Sequence, residues 1–308
     1  AVDATRGFPG PWVLLPGNHD AATAGSVWSW LRQQAPPANL VLALEPEPLA
    51  LLDGRLFVLP APLTARRVQD DLTTWFDGAA SPAGACRVGL AHGAVAGRLP
   101  AEADSSNPIA PDRAARAGLD HLALGDWHGT LEVAPRTWYA GTPEPDRFHE
   151  NDAGGALLVE LGPLGAPPAV ERIATGVHRW LAAELDGTGL GEAEVAASLA
   201  ALAPGERHRT LLRLRLRGSV SLAARAVIDR ELERLGGELC WLDLDDSGLL
   251  DEPDATDLAA LTAEPATAAA ARRLRELVDA GPTPEERDAA RLALRLLFVE
   301  ARGLEGRA

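Results

Sequence analysis

The sequence predicts an α/β protein, in which a layered arrangement of sheets and helices precedes a smaller α/β unit and C-terminal helices. In the first half, short apolar runs end in polar or glycine-containing turns and alternate with helical segments. Such runs are typical of strands that are buried on both faces of a sheet. From about residue 173 the order β-α-β-α-β indicates a separate small unit. We therefore expect three segments, 1–172, 173–250 and 251–308.

The first segment contains six apolar runs that we interpret as strands, at 12–15, 56–59, 88–91, 119–124, 136–140 and 155–161. Helices are predicted at 26–34 and 111–117, and Gly118 is placed to end the second, because glycine is favoured just after a helix. The stretch L-G-P-L-G-A-P-P that begins at Leu161 is rich in glycine and proline. We expect this stretch to mark a domain edge.

The second segment is predicted to contain strands at 177–185, 210–217 and 239–245 and helices at 192–203 and 221–235, the latter closed by Gly236. Both helices carry apolar residues at helical spacing. The tail from about residue 253 is rich in alanine and is expected to be helical. Its last helix begins at Thr283-Pro284-Glu285-Glu286, which has the pattern of a capping box with proline at the first helical position.

Composition restricts the function classes. The chain has 308 residues, of which 46% are hydrophobic and 24% charged, as in an ordinary globular protein. It has no apolar run near the roughly 18 residues that a membrane-spanning helix needs, so we expect no membrane association and a cytoplasmic location. The net charge of −15 argues against a surface that binds nucleic acid throughout, although a local basic track remains compatible with it.

Three predicted strands end in residues that could bind a metal: Gly17-Asn18-His19-Asp20, His92-Gly93 and Gly125-Asp126-Trp127-His128. Because sites in open α/β sheets gather at the carboxyl ends of the strands, these turns are expected to converge. Imidazole, amide and carboxylate groups together suit Mn, Fe or Zn. Two such ions about 3.5 to 4 Å apart can assist phosphoryl transfer.

Each motif also has a simpler interpretation. Gly17–Asp20 could form an Asx-type turn, His92 could be structural, and Asp126 with His128 could belong to a solvated turn. The coincidence of all three at strand ends favours the metal site. A second candidate surface is the alternating strand with Arg213, Arg215 and Arg217, which could contact a phosphate backbone or form a solvated outer face.

These motifs resemble those of the calcineurin-like metallophosphoesterases, and within them the SbcD-like DNA repair exonucleases. The segment W-Y-A-G-T-P-E-P-D-R-F at 138–148 is similar to the SbcD segment that follows the last metal motif, and the unit from 173 is similar to the capping domain that guides DNA. The resemblance implies an αββα sandwich and two divalent ions, with Mn expected first and Fe or Zn as alternatives.

Carried over residue by residue, the resemblance makes Asn18, His92 and Asp126 ligands of one metal and His128 a ligand of the other. It makes His19 the group that contacts the scissile phosphate. Asp126 stands where the family has histidine, which should alter metal preference. The family's D-x-H and G-D-x-x-D motifs do not occur ahead of Gly17-Asn18-His19-Asp20, where the family has them, so we expect that the chain lacks the N-terminal part of its domain.

The expected function is phosphodiester hydrolysis at DNA ends. The alternatives are a small-molecule phosphodiesterase or phosphatase, and a catalytically incomplete binding or scaffold module. The resemblance further implies docking on an SbcC-type ATPase, through an apolar face of the last helix that includes Leu292, Leu296 and Val299. Burial of that face within the monomer is equally compatible with the sequence, and a homodimer is a further expected assembly.

Overall fold

A computed structural model describes residues 5–99, 106–148, 151–163, 165–261 and 265–305, without the side chains of residues 260 and 302–305. The described chain is mixed α/β, and its central sheet is mostly parallel, which confirms the predicted class. Contacts divide the chain into two compact units, Ala1–Val177 and His178–Ala308.

A six-stranded sheet forms the centre of the first unit, in the order β3-β4-β5-β8-β10-β9. The other strands of this unit form three two-stranded sheets: β1 with β2, β6 with β7, and β11 with β12. The strands are β1 (Trp12–Leu14), β2 (Leu40–Leu42), β3 (Leu49–Leu51), β4 (Leu56–Ala61), β5 (Cys86–His92), β6 (Ala94–Val95), β7 (Pro108–Ile109), β8 (His121–Gly125), β9 (Leu131–Ala134), β10 (Thr137–Tyr139), β11 (Gly155–Glu160) and β12 (Ala169–Ala174).

Strands β4, β5, β8 and β10 run parallel, while β3 and β9 pair antiparallel at the two edges. The residues of the central strands are mostly apolar, as expected for strands that are covered on both faces of a sheet. One buried cluster of this unit includes Leu59, Phe76, Leu122 and Tyr139. The parallel register aligns the carboxyl ends of β5 and β8. It places His92 opposite Gly125, and this pair positions the candidate site.

The described part of this unit also contains the short helices α1 (Val27–Gln33) and α2 (Arg113–Arg116) and a 3-10 helix at Thr74–Gly78. Gly118 follows α2 with a φ of +60°, the left-handed conformation that glycine adopts most readily after a helix. The Gly/Pro-rich stretch at 161–168 joins the paired strands β11 and β12, so it lies inside the first compact unit.

The second unit contains a three-stranded parallel sheet in the order β13-β14-β15. Its elements are β13 (Arg179–Asp186), α3 (Glu192–Ala201), β14 (Thr210–Val220), α4 (Leu222–Glu238) and β15 (Trp241–Asp251), in the predicted β-α-β-α-β order. The helices pack on one face of the sheet, where Val195, Leu199, Leu212 and Ile228 belong to one buried cluster.

Gly236 does not end α4, contrary to the sequence prediction. The helix continues to Glu238, and the Leu239 amide still donates a 2.8 Å hydrogen bond to the Leu235 carbonyl. Ion pairs from Arg207 and Arg234 to Glu238 hold the last turn, and Leu239 is buried in the core. These contacts outweigh the propensity cost of a helical glycine, which is about 1 kcal/mol.

Three C-terminal helices follow: α5 (Ala255–Leu261), α6 (Pro265–Ala280) and α7 (Pro284–Glu305). The capping box at the start of α7 is present, because the Glu286 amide donates to Thr283 Oγ1 at 3.1 Å and the Thr283 amide donates to the Glu286 carboxylate at 3.3 Å. Leu294 and Phe298 are buried with Leu222 from α4. None of the helices among the described residues has the length and apolar character needed to cross a membrane.

The opposite face of α7 is exposed. Leu292, Leu296 and Val299 keep 46%, 56% and 43% of their surface accessible. Among the residues that the structure describes, these three side chains are therefore not buried, which goes against one of the two interpretations that the sequence allowed.

Candidate metal centre

The parallel pairing of β5 and β8 brings His92 and Asp126 together. His92 is the last residue of β5, and Asp126 immediately follows β8. Since the register aligns His92 with Gly125, the His92 imidazole lies beside Asp126, the residue that follows Gly125 in the chain. His92 Nε2 is 3.4 Å from Asp126 Oδ1, and both side chains are largely buried.

Asn18 joins this pair from the turn after β1. Its Oδ1 is 3.1 Å from His92 Nε2, and its Nδ2 donates a 3.0 Å hydrogen bond to Asp126 Oδ1. We call Asn18, His92 and Asp126 the trio. An amide, an imidazole and a carboxylate from three separate turns thus meet at one point.

Two glycines make room for the His92 ring. A Cβ built on Gly17 would lie 2.7 Å from His92 Cε1, and one built on Gly125 would lie 2.8 Å from His92 Nδ1. Both distances are far below carbon–carbon and carbon–nitrogen contact. The ring is therefore held between two backbone segments that can approach only because neither carries a side chain.

Asp126 has a φ of +102°, a conformation that L-residues rarely adopt. A strained backbone of this kind costs about 1 to 3 kcal/mol and persists only where surrounding contacts enforce it. Here the contacts are those to Asn18 and His92. This backbone conformation places the Asp126 carboxylate in the site, although glycine would adopt the same φ without strain.

Tyr139 of β10 braces the turn after His92. It is fully buried; its hydroxyl donates to the Gly93 carbonyl at 2.7 Å and accepts from the Val95 amide at 3.0 Å. Burial raises the pKa of Tyr139, so the hydroxyl remains a hydrogen-bond donor across the ordinary pH range.

Asp20 braces the first turn. Its Oδ1 accepts a 2.7 Å hydrogen bond from the Gly17 amide, and its carbonyl accepts one from the Trp28 indole. The side chain of His19, between Asn18 and Asp20, is exposed. The Asp20 carboxylate accepts from an amide three residues before it, whereas an Asx turn needs an amide two residues after it, so the described hydrogen bonds do not form the Asx-type turn. In the same four residues, Asn18 is directed towards His92.

His128 has partners other than the trio. Its Nδ1 is 2.7 Å from Asp146 Oδ2 and also 2.7 Å from Arg147 Nη2. Arg147 in turn donates to both oxygens of Asp146, at 2.9 and 3.1 Å. The Arg147 guanidinium, with a further contribution from His128, holds the pKa of Asp146 below its usual range despite partial burial.

The trio fits part of one metal site. Two ligands about 2.1 Å from a metal lie about 3.0 to 3.4 Å apart in octahedral or tetrahedral coordination. Asn18 Oδ1 and His92 Nε2 are 3.1 Å apart, and His92 Nε2 and Asp126 Oδ1 are 3.4 Å apart, whereas Asn18 faces Asp126 with its Nδ2, which is a hydrogen-bond donor and not a metal ligand. Within the described ranges, no three or more His, Cys, Asp or Glu side chains come together in a group that could hold a metal. The trio is not such a group, because its third member is the amide of Asn18.

The predicted phosphate-contacting arginines lie on the exposed face of β14, and each faces an acidic side chain of a neighbouring strand. Three arginines meet four carboxylates on this face. The pairs are Arg213 with Asp243 at 2.7 Å, Arg215 with Asp245 at 3.4 Å, and Arg217 with Glu184 at 2.6 Å and Asp186 at 3.7 Å. The face is therefore not a basic track.

Sequence reasoning did not identify Tyr139 and Asp146 as residues that support the site. Both belong to the segment 138–148 that carries part of the family resemblance, but only the resemblance drew attention to it. A buried tyrosine in a strand gives no functional signal by itself. The Asp146-Arg147 dipeptide could have been noted as a charge pair, but its distance from His128 follows from the fold.

No protein-family model matches this chain, and no curated protein matches it either. The residues of the site therefore carry the functional interpretation.

Proposed function

We propose that this chain contributes to metal-dependent hydrolysis of phosphodiesters, with DNA ends as the substrate. The observation that supports this proposal is the meeting of Asn18, His92 and Asp126, in which Asn18 Oδ1 and Asp126 Oδ1 lie 3.1 and 3.4 Å from His92 Nε2, as ligands of one metal ion would. The layered αββα arrangement that accompanies this activity in the metallophosphoesterases is part of the same proposal.

Asn18, His92 and Asp126 would hold one divalent ion, and His128 would hold a second through Nε2. Manganese is the expected metal, with iron or zinc as alternatives. Divalent ions in such sites supply Lewis acidity towards a phosphoryl oxygen. The protein contributes by fixing the three donors before substrate arrives; Gly17 and Gly125 hold the His92 ring, and Tyr139 holds the backbone beyond it.

His19 would contact the substrate. It directly follows Asn18 and its side chain is exposed, so its ring is accessible to a substrate. An imidazole in this place can donate a hydrogen bond to a phosphate oxygen or to the leaving group. His19→Ala should therefore reduce hydrolysis while Mn²⁺ binding remains.

The experiment measures Mn²⁺ binding by isothermal titration calorimetry and cleavage of two substrates, linear double-stranded DNA and a chromogenic phosphodiester. His92→Ala and Asp126→Ala should abolish both binding and cleavage. The exposed His208, in the second unit, offers the matched control, and His208→Ala should change neither. Wild-type protein that binds no Mn²⁺ would refute the metal centre and favour the binding or scaffold module.

A small-molecule phosphodiester or phosphomonoester is the second candidate substrate. The pairing of Arg213, Arg215 and Arg217 with four carboxylates favours it, since a DNA backbone would have to displace these acids. Arg215→Ala distinguishes the two substrates. It should weaken cleavage of DNA alone if the backbone crosses this face, and should leave both substrates unaffected if it does not.

The proposed protein partner is an SbcC-type ATPase, and the exposed face of α7 with Leu292, Leu296 and Val299 is its proposed contact. Three adjacent apolar side chains at helical spacing are an unusual surface for a helix that packs its other face in the core. A second copy of the chain is the alternative occupant. Size-exclusion chromatography with light scattering, with and without the ATPase, tests both.

A further inference from the structure

The Nδ1 atom of His128 has two neighbours that make opposite demands on it. Asp146 Oδ2, at 2.7 Å, can only accept a hydrogen bond, whereas Arg147 Nη2, also at 2.7 Å, can only donate one. A single ring nitrogen either carries a proton or presents a lone pair. One of the two contacts must therefore determine the tautomer, and the other must yield.

The chain segment that carries Asp146 is fixed against His128 by its backbone. The Thr142 amide donates to the His128 carbonyl at 2.8 Å, and the Gly154 amide donates to the Thr142 carbonyl at 2.8 Å. Gly141 has a φ of +75°, and a Cβ there would lie 2.7 Å from the Gly129 carbonyl carbon. The tight turn that begins at Gly141 therefore holds the segment close to the loop of His128.

Arg147 is the neighbour that can yield. Its guanidinium already makes two hydrogen bonds to Asp146, and its side chain is 53% exposed, so it loses little when it moves away from the imidazole. Asp146 has no such freedom, because an unprotonated Nδ1 at 2.7 Å would place two lone pairs against each other. A hydrogen bond from Nδ1 to the carboxylate is, in addition, charge-assisted.

We propose that Asp146 is a positioning residue that holds His128 in the Nδ1–H tautomer, and that Arg147 holds Asp146 in place. Nε2 then carries the lone pair. Histidines that bind metals commonly donate the other ring N–H to a carboxylate, which fixes the ring and raises its basicity. The role of Nε2 as a metal ligand rests on the proposed function, whereas the tautomer itself does not.

The tautomer can be read directly by NMR. In protein labelled with ¹⁵N-histidine, long-range ¹H–¹⁵N correlation spectra distinguish a protonated Nδ1 from a protonated Nε2, and loss of one signal set in His128→Gln assigns the residue. Metal-free wild-type protein should show His128 as Nδ1–H at neutral pH. Asp146→Ala should move it to the Nε2–H form, and Asp146→Asn, which keeps an acceptor oxygen, should retain much of the Nδ1–H form.

Asp112 provides the matched control, since it is an exposed aspartate of the first unit at the start of α2. Asp112→Asn should leave the His128 signals unchanged. A wild-type spectrum with Nε2 protonated would overturn the proposal and would indicate that Arg147 determines the tautomer. An Nδ1–H signal that Asp146→Ala does not alter would also overturn it, because Asp146 would then not hold that tautomer.

Mn²⁺ titration separates this proposal from the proposed function. Asp146→Ala should weaken Mn²⁺ binding about 10- to 100-fold, the usual effect of losing a carboxylate behind a metal-binding histidine. If the tautomer responds to Asp146 but the wild-type protein binds no Mn²⁺, the positioning role holds and the metal centre is wrong. If Mn²⁺ binds while the tautomer is Nε2–H, the metal centre holds and the positioning role is wrong.

Discussion

Replacing Gly17 by alanine tests how the His92 ring is held. The new Cβ would lie 2.7 Å from His92 Cε1 and 2.9 Å from Nδ1. Carbon atoms in contact lie about 3.5 Å apart, so the ring would have to move by about 0.8 Å. It cannot move freely, because the backbone of Gly125 lies close to the same ring, and Nε2 is within 3.1 Å of Asn18.

The expected cost follows from overpacking. A methyl group forced into a packed site destabilises a protein by about 1 to 3 kcal/mol. Gly17 is buried and its φ is not positive, so the backbone itself accepts alanine and the penalty comes from His92. Because the displaced imidazole no longer matches the geometry of Asn18 and Asp126, Mn²⁺ binding should weaken by at least about 10-fold.

Urea denaturation measures the free energy of unfolding, and calorimetry measures Mn²⁺ affinity. Gly78→Ala is the control, since a Cβ at Gly78 would have no neighbour within 4 Å. Alanine at such a position stabilises a protein by about 0.4 to 1 kcal/mol through the unfolded chain. The two variants should therefore differ in the sign of their effect. Equal stability for Gly17→Ala and Gly78→Ala would refute the proposed packing of His92.

Three further predictions concern stability. Burial lowers the pKa of His121 to about 4 in the folded protein, so below pH 6.5 the unfolded chain takes up a proton that the folded protein does not. About 3 kcal/mol of the free energy of unfolding should therefore be lost between pH 6.5 and pH 4. His121→Leu should reduce this dependence on pH, measured by urea denaturation at several pH values. Tyr139→Phe leaves the Gly93 carbonyl and Val95 amide unpaired and should cost about 1 to 3 kcal/mol by thermal unfolding, whereas an unchanged Tm would contradict the bracing role. Phe298 is buried and Leu296 is exposed, so Phe298→Ala should lower the free energy of unfolding by about 3 to 5 kcal/mol and Leu296→Ser should change it by less than about 0.5 kcal/mol. A large loss of stability in Leu296→Ser would show that the exposed face of α7 is packed in solution.

Local patterns predicted the elements well. The apolar runs at 56–59 and 88–91 lie within β4 and β5, and the capping box at Thr283 begins α7 at Pro284. These features depend on residues close in sequence. The strand β2 at Leu40–Leu42 and the hairpin partner β12 were not predicted, because short runs without alternation become strands only when a neighbour pairs with them.

The sequence predicted which residues form the candidate site better than it predicted which residues they contact. Strand ends pointed to Asn18, His92 and Asp126, and the structure brings these three together. Their roles as ligands remain predictions, as does that of His19. The partners of His128 and of the three β14 arginines could not be anticipated, since a carboxylate such as Asp146 or Asp243 looks the same in sequence whether it faces water or a cation.

By itself, the sequence determined the approximate place of most strands and helices and which residues follow β1, β5 and β8, because propensity, capping and apolar periodicity act over a few residues. Only the tertiary structure decided which of those ends meet. Asn18 and Asp126 are 108 positions apart, and their hydrogen bond depends on the pairing and register of strands from distant parts of the chain. The contact of His128 Nδ1 with Asp146 likewise depends on the turn at Gly141, which holds the two chain segments together.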